Sequence, residues 1–389
     1  MQYDKISIIL PVFFYLFSVI NPACGDVFRA TKRTVTDYSK LLPQLQVVGN
    51  RIFYLWQEMD AGSRWQIWTA WMNADGTGWV EAKRTSTPSH KHFPQFQFDS
   101  DKMYFVWSEN DDTQSQIWTA VMNADGTGWT AVKRTNSACD KWQPQLQVWD
   151  SMVYLVWIEV DDLTSQIWTA VMNADGTGWS ATQRTTEASL KFTPQFHVHE
   201  NKIYFVWSED VDAHFQIRTA QLNTDGTGWS ATQRTSSSYD KLLPQLQVFQ
   251  GKIHYVWKEF DGSNWQMRIA WMSTDGTGWH TPGMSETAYD KTSPQLQVLG
   301  TRVYYVWCEN DGSYDQIWTA MLNLDLTDLK ALERKRTSGA FDKKYPQLQS
   351  HGEKIHYIWS QDDGSNSQIW TAVGSSFSPG AFIPMLLND

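Results

Sequence analysis

Three chemically active residue types recur in this sequence at fixed spacing. A lysine stands three residues before a Pro-Gln pair seven times, at Lys40, Lys91, Lys141, Lys191, Lys241, Lys291 and Lys343. A glutamate follows a tryptophan by two at Glu58, Glu109, Glu159, Glu209, Glu259 and Glu309, with Gln361 in the seventh copy. A glutamine opens the run Gln-Ile-Trp-Thr-Ala, or a close variant, in every copy from Gln66 through Gln166 to Gln368. Such groups suit two tasks. They can hold neighbouring segments together, Lys against Glu across a boundary between copies and amides against backbone groups. They can also line shallow pockets that offer an indole face and polar groups for hydroxyls. Seven weak pockets on one ring would reinforce one another. The candidate binding residues are Lys40, Glu58, Gln66 and Trp68 in the first copy, with Lys141, Glu159, Gln166 and Trp168 in the third.

Catalysis uses one constellation in one place, so breaks in the repetition are where an active site would be sought. They cluster in the fourth and fifth copies. Arg218 and Arg268 replace a tryptophan, Val211 replaces a loop Asp, and His197, His199 and His214 occur only there. Two arginines near a histidine could bind a carboxylate such as a sialic or uronic acid. Arginine can equally lie along an apolar face with its head in water. His90 and His92 are a further departure, read as surface variation. There is no Ser–His–Asp order, zinc-ligand spacing or phosphate loop, and no catalytic residue is assigned. The turn Asn-Ala-Asp-Gly-Thr-Gly offers one Asp and one Asn, far short of the roughly six to eight oxygens calcium takes. Hairpin chemistry explains it, so no metal or cofactor is expected.

The elements that position these residues follow from the period. The copies are anchored at Pro43, Pro94, Pro144, Pro194, Pro244, Pro294 and Pro346, spaced by 51, 50, 50, 50, 50 and 52 residues. Each holds four strand-like runs, as at Gln44–Val47, Ile52–Trp56, Gln66–Ala70 and Trp79–Thr85. Four short strands repeated seven times predict an all-β fold, a seven-bladed β-propeller of four-stranded blades. The seventh copy loses its fourth run, and Phe28–Thr34 matches Trp79–Thr85. The N-terminal strand is therefore expected to close the ring and remove two open edges.

The chain has 389 residues, 41% hydrophobic and 19% charged, which is the balance of a globular protein. Its net charge of −10 argues against binding a nucleic-acid backbone. Residues 1–25 carry one lysine, an apolar run over Ile6–Ile20 and small residues before Asp26, the layout of a signal peptide. The expected product is a single propeller over residues 26–389, secreted or periplasmic, monomeric and without a membrane span. Once Cys24 leaves with the leader, Cys139 and Cys308 lie too far apart in sequence for a disulfide framework.

The run Gln116–Gly128 followed by Lys133-Arg134-Thr135 resembles the repeat of TolB-type propellers. Gly76 three residues before Trp79 is similar to the aspartate-box repeats of sialidase-like propellers. The first resemblance implies a platform for protein partners, the second glycan binding or glycan chemistry. The expected function is a non-enzymatic binding module, a lectin-like multivalent glycan binder ahead of a protein-interaction platform. The alternative is a sialidase-like glycoside hydrolase or a polysaccharide lyase with its site near copies four and five, including Arg218 and Arg268.

Overall fold

A computed structural model describes residues 28–110, 113–161, 163–284, 287–324, 333–352 and 354–375. The leader expected over residues 1–25, with Cys24, lies outside them. All regular structure among the described residues is β, arranged as seven four-stranded antiparallel sheets. Blade 1 consists of Lys40–Val48, Arg51–Met59, Trp65–Asn73 and Val80–Lys83, paired in that order. The fold is a seven-bladed β-propeller.

Why each run forms its strand is visible in what it buries. The second strand is apolar on both faces, and Ile52 through Trp56 are all nearly inaccessible. A strand covered on both sides by neighbouring sheets requires that pattern. The apolar core is a set of seams between blades. One seam joins Phe53, Leu55 and Ile67 of blade 1 to Phe96, Phe105 and Trp107 of blade 2, and another joins Trp56 to Ile358 and Ile369 of blade 7. Within blades 1–3 indoles stack in threes, and in blades 4–7 in pairs. Trp56 lies 6.4 Å from Trp68 and 6.1 Å from Trp79, centroid to centroid, at interplanar angles of 16° and 20°. This repeated stack accounts for much of a tryptophan count of 23.

The ring closes as expected. Arg29–Lys32 pairs antiparallel with the strand Ser367–Ser375, placing Arg29 opposite Val373 and Lys32 opposite Trp370. Arg33 then bonds Thr371 Oγ1 through Nε at 2.8 Å, as Arg84 bonds Thr69 Oγ1 at 2.7 Å in blade 1. An N-terminal strand thus does in blade 7 what the fourth strand does elsewhere. Removing the chain up to Thr34 leaves the Ser367–Ser375 edge unpaired. The loss of its hydrogen bonds is expected to cost ~3 kcal/mol or more, measured as a lower denaturation midpoint against the chain beginning at Asp26.

Candidate functional site

The lysine, glutamate and glutamine of each copy fall in one row. Lys40 lies opposite Glu58, and Glu58 opposite Gln66, at the end of the blade where the inter-blade linkers run. The same register recurs in blade 4 as Lys191, Glu209 and Gln216. Because an innermost strand begins at this lysine and a third strand at this glutamine, the side chains converge on the linker.

The row binds the linkers and is largely buried. Gln66 Nε2 donates to Thr87 O at 3.0 Å in the linker leaving blade 1, and Thr85 Oγ1 donates back to Gln66 Oε1 at 2.9 Å. From the far side, Lys91 Nζ donates to Ser89 O at 2.6 Å, while Ser89 Oγ donates to Glu109 at 2.6 Å. One linker is held by the blade it leaves and the blade it enters. At the closure, Gln368 donates to Thr36 O at 2.8 Å and Lys40 to Tyr38 O at 2.8 Å. Lys141 likewise reaches Ser137 and Cys139 O, and Gln166 donates to Glu187 O at 2.9 Å.

Two expectations change here. Lysine and glutamate pair within a blade, at 3.4 Å for Lys40–Glu58 and 3.8 Å for Lys141–Glu159, because register places them on adjacent strands. The third-strand glutamines serve the linkers, away from the channel. Lys40, Glu58 and Gln66 are all buried, while Glu159, Gln166, Trp68 and Trp168 are half-buried. Burial lowers the pKa of Lys40, Lys91 and Lys191, with the paired glutamate opposing the shift, and raises that of Glu159. Blade 7 shows which lysine partner matters: Gln361 replaces the glutamate, yet Lys343 still donates to Phe341 O at 2.6 Å.

The two arginines are engaged within their own blades. Arg218 Nε lies 3.0 Å from Glu209, in ion-pair contact without hydrogen-bond alignment, and Arg268 donates to Glu259 at 3.3 Å. The histidines do not gather around them. His197 lines the channel, His199 sits at the far end of its hairpin opposite Lys202, and His214 opens the third strand 3.7 Å from Asp240. From Lys191 to His199 the strand spans roughly 26 Å. Among the described residues, no group of three or more His, Cys, Asp or Glu is placed to hold a metal.

What distinguishes the linker face is aromatic. Tyr38, Tyr239, Tyr289 and Phe341 each stand two residues before the lysine of blades 1, 5, 6 and 7, and are 37%, 41%, 43% and 38% exposed. Tyr314 joins them, with its ring 6.5 Å from Phe341. Three of these rings lie over a glycine of a neighbouring turn. A Cβ on Gly262, Gly312 or Gly364 would meet Tyr239, Tyr289 or Phe341 at 3.1, 3.4 and 3.3 Å, and all three glycines have φ between +96° and +100°. Blades 2–4 carry Ser89, Cys139 and Ser189 at the aromatic position. There the aromatic surface is different: the His92 ring lies 5.6 Å from His90 and 5.8 Å from Trp142, with Phe93 5.7 Å from Trp142. Burial, with a smaller contribution from His90, pushes the His92 pKa down to about 4, so its imidazole is neutral at pH 7.

Grooves between blades also exist on the perimeter, away from the row. Cavities of about 190 to 240 Å³ lie between blades 1 and 2, 3 and 4, and 4 and 5, each bounded by an arginine such as Arg184 and the next blade's Asp-Gly turn. These arginines are part of the structure. Arg184 Nε donates to Thr169, its Nη1 donates to Gly226 O, and its guanidinium lies 5.9 Å from the Trp229 centroid.

No protein-family profile and no curated protein sequence matches the chain. Among solved structures it is similar to an ulvan lyase of polysaccharide lyase family PL25, at 10% identity and a TM-score of 0.61, over 90% of this chain and 96% of that one. Polysaccharide lyase Uly1 gives 9% identity and a TM-score of 0.56, over 86% and 89%. The β-propeller domain of the Trilobed protease from Pyrococcus furiosus gives 10% and 0.52, over 87% and 96%. At these identities the likeness establishes the fold.

The geometry separates scaffold from surface by experiment. Lys91→Met removes the cation paired with the buried Glu109, with an expected cost of about 3–5 kcal/mol in urea unfolding. Tyr289→Ala, at a half-exposed ring, is expected to change stability by less than ~1 kcal/mol in the same assay.

Proposed function

We propose that this propeller recognises polysaccharide on its linker face. The arc of exposed rings formed by Tyr239, Tyr289, Tyr314, Phe341 and Tyr38 carries the reading. Tyr239, Tyr289 and Phe341 are held over glycine turns and Tyr314 by its contact with Phe341, so these pre-ordered rings meet a sugar face with little entropy left to lose. Two of the similar structures are polysaccharide lyases, one solved with the unit -[GlcA(1-4)Rha3S]- bound, which supports a glycan partner over a protein one. The leader-like residues 1–25 fit a protein that meets its ligand outside the cytoplasm. TolB-type protein capture is the competing outcome of a pull-down.

A catalytic version of this reading is favoured by one further observation. The neutral His92 beside His90, Phe93 and Trp142 is an asymmetric imidazole–aromatic cluster on the same face. A neutral imidazole accepts a hydrogen bond from a sugar hydroxyl and can orient it at such a site. A lyase or hydrolase site would lie there, since Arg218 and Arg268 are already neutralised.

The test is a glycan array followed by calorimetry on the hits, with reducing-end and unsaturated-uronate assays on the same polysaccharides. Tyr289→Ala is expected to weaken binding by about tenfold, the loss of one stacking contact, while Arg218→Ala leaves it unchanged. Absence of binding and turnover across all glycans would contradict the proposal.

A further inference from the structure

The seven innermost strands enclose a channel of about 700 Å³, within the range of small-ligand sites. Its lining has an unusual chemistry. Among the described residues around it thirteen are glutamines and none is Asp, Glu, Lys or Arg, in a chain with a net charge of −10. His197, also in the wall, has its pKa pushed down to about 4 by burial, then by His199, and is neutral at pH 7.

The glutamines form two tiers, two residues apart in the Pro-Gln-x-Gln repeat. The deeper tier is structural. Gln46 donates to Phe96 O at 3.2 Å and accepts from Phe98 N at 2.6 Å, bridging blade 1 to the edge of blade 2. Gln147 makes the same bridge to Phe196 O and Val198 N, at 3.0 and 2.7 Å. Those bonds satisfy the inward edges of the strands. The shallower tier, typified by Gln44, Gln95 and Gln245, lines the lumen and has no hydrogen-bond partner among the described residues. The fold does not use these seven amides, yet all seven copies keep them.

Drift had the opportunity to remove them. Two residues before each, at a β-bulge, the copies hold Leu42, Phe93, Gln143, Thr193, Leu243, Ser293 and Tyr345. All seven have φ between +51° and +55°, a left-handed conformation that non-glycine residues rarely adopt. All seven line the channel at its linker-face mouth. A bulge re-aims a side chain, and here it aims a varied set of side chains above a constant ring of amides.

We propose that the channel is a single-occupancy site for an uncharged, hydroxyl-rich ligand, such as a neutral sugar at a chain end or branch, with the bulge residues setting its selectivity. The proposal deepens the polysaccharide reading and rests on it. An amide both donates and accepts, so a ring of free amides matches vicinal hydroxyls, and Phe93 and Tyr345 offer C–H-binding faces. A charge-free wall gives a uronate or sulfate no counter-charge to offset its desolvation.

The experiment is calorimetry of the full chain from Asp26 with neutral gluco-, xylo- and galacto-oligosaccharides and with ulvan-derived uronate oligosaccharides. One site per chain and a preference for the neutral set are expected. The double variant Gln95→Leu/Gln245→Leu should melt as the parent does and bind roughly tenfold more weakly. Gln97→Leu, which breaks the bridge to Val148, should instead lower the melting temperature. Several sites per chain, a preference for uronates, or unchanged affinity in the double variant would overturn the channel proposal. If Tyr289→Ala weakens binding while the double variant does not, the linker-face reading stands and the channel inference falls. Binding to no oligosaccharide overturns both.

Discussion

Each linker between blades is held from both sides, by a glutamine of the blade it leaves and a lysine of the blade it enters. The rest of the ring depends on that clamp. The apolar core is divided into seams, and flat apolar faces resist sliding only weakly. Directional bonds such as Gln66 to Thr87 O and Lys91 to Ser89 O set where one blade sits on the next. Burying a lysine and a glutamate is costly even when they are paired, so their contribution is better understood as register than as net stability. Blade 7 supports this, because Lys343 keeps its linker carbonyl where the glutamate has become Gln361.

A scaffold held at seven equivalent points can vary between them. The position two residues before the lysine is Tyr, Ser, Cys or Phe, and the bulge residue is nearly any type, while the bulge backbone keeps one left-handed φ in all seven copies. Variation is thus concentrated on the linker face and at the channel mouth. The result departs from seven equivalent pockets. One arc, from blade 5 through blade 7, presents rings seated on turns, and the opposite side presents the His92–Trp142 cluster. An asymmetric face on a symmetric frame suits recognition of one ligand in one orientation.

Much of this was legible in the sequence because the period is strict. The strands, the seven blades and the replacement of a fourth strand by Phe28–Thr34 all follow from matching residues at matching offsets. The row of Lys40, Glu58 and Gln66 was also legible, but its burial was not. Spacing shows that side chains share an end of a blade, and only packing shows that the linker folds over them. The left-handed φ of Leu42 or Tyr345 has no sequence signature, since neither residue is Gly or Asn. The seating of Tyr289 on Gly312 joins residues 23 apart on different elements. The second glutamine of Pro-Gln-x-Gln repeats as plainly as the lysine does, with His197 the one exception. Its bridge needed the next blade in view.

The most direct measurement is hydrogen exchange of the full ring with and without a bound oligosaccharide from the array. Added protection is expected in the linkers around Tyr239, Tyr289 and Phe341 and in the innermost strands at the channel mouth, with the Asp-Gly turns unchanged. Protection confined to those turns and the perimeter grooves near Arg184 and Arg234 would contradict this expectation.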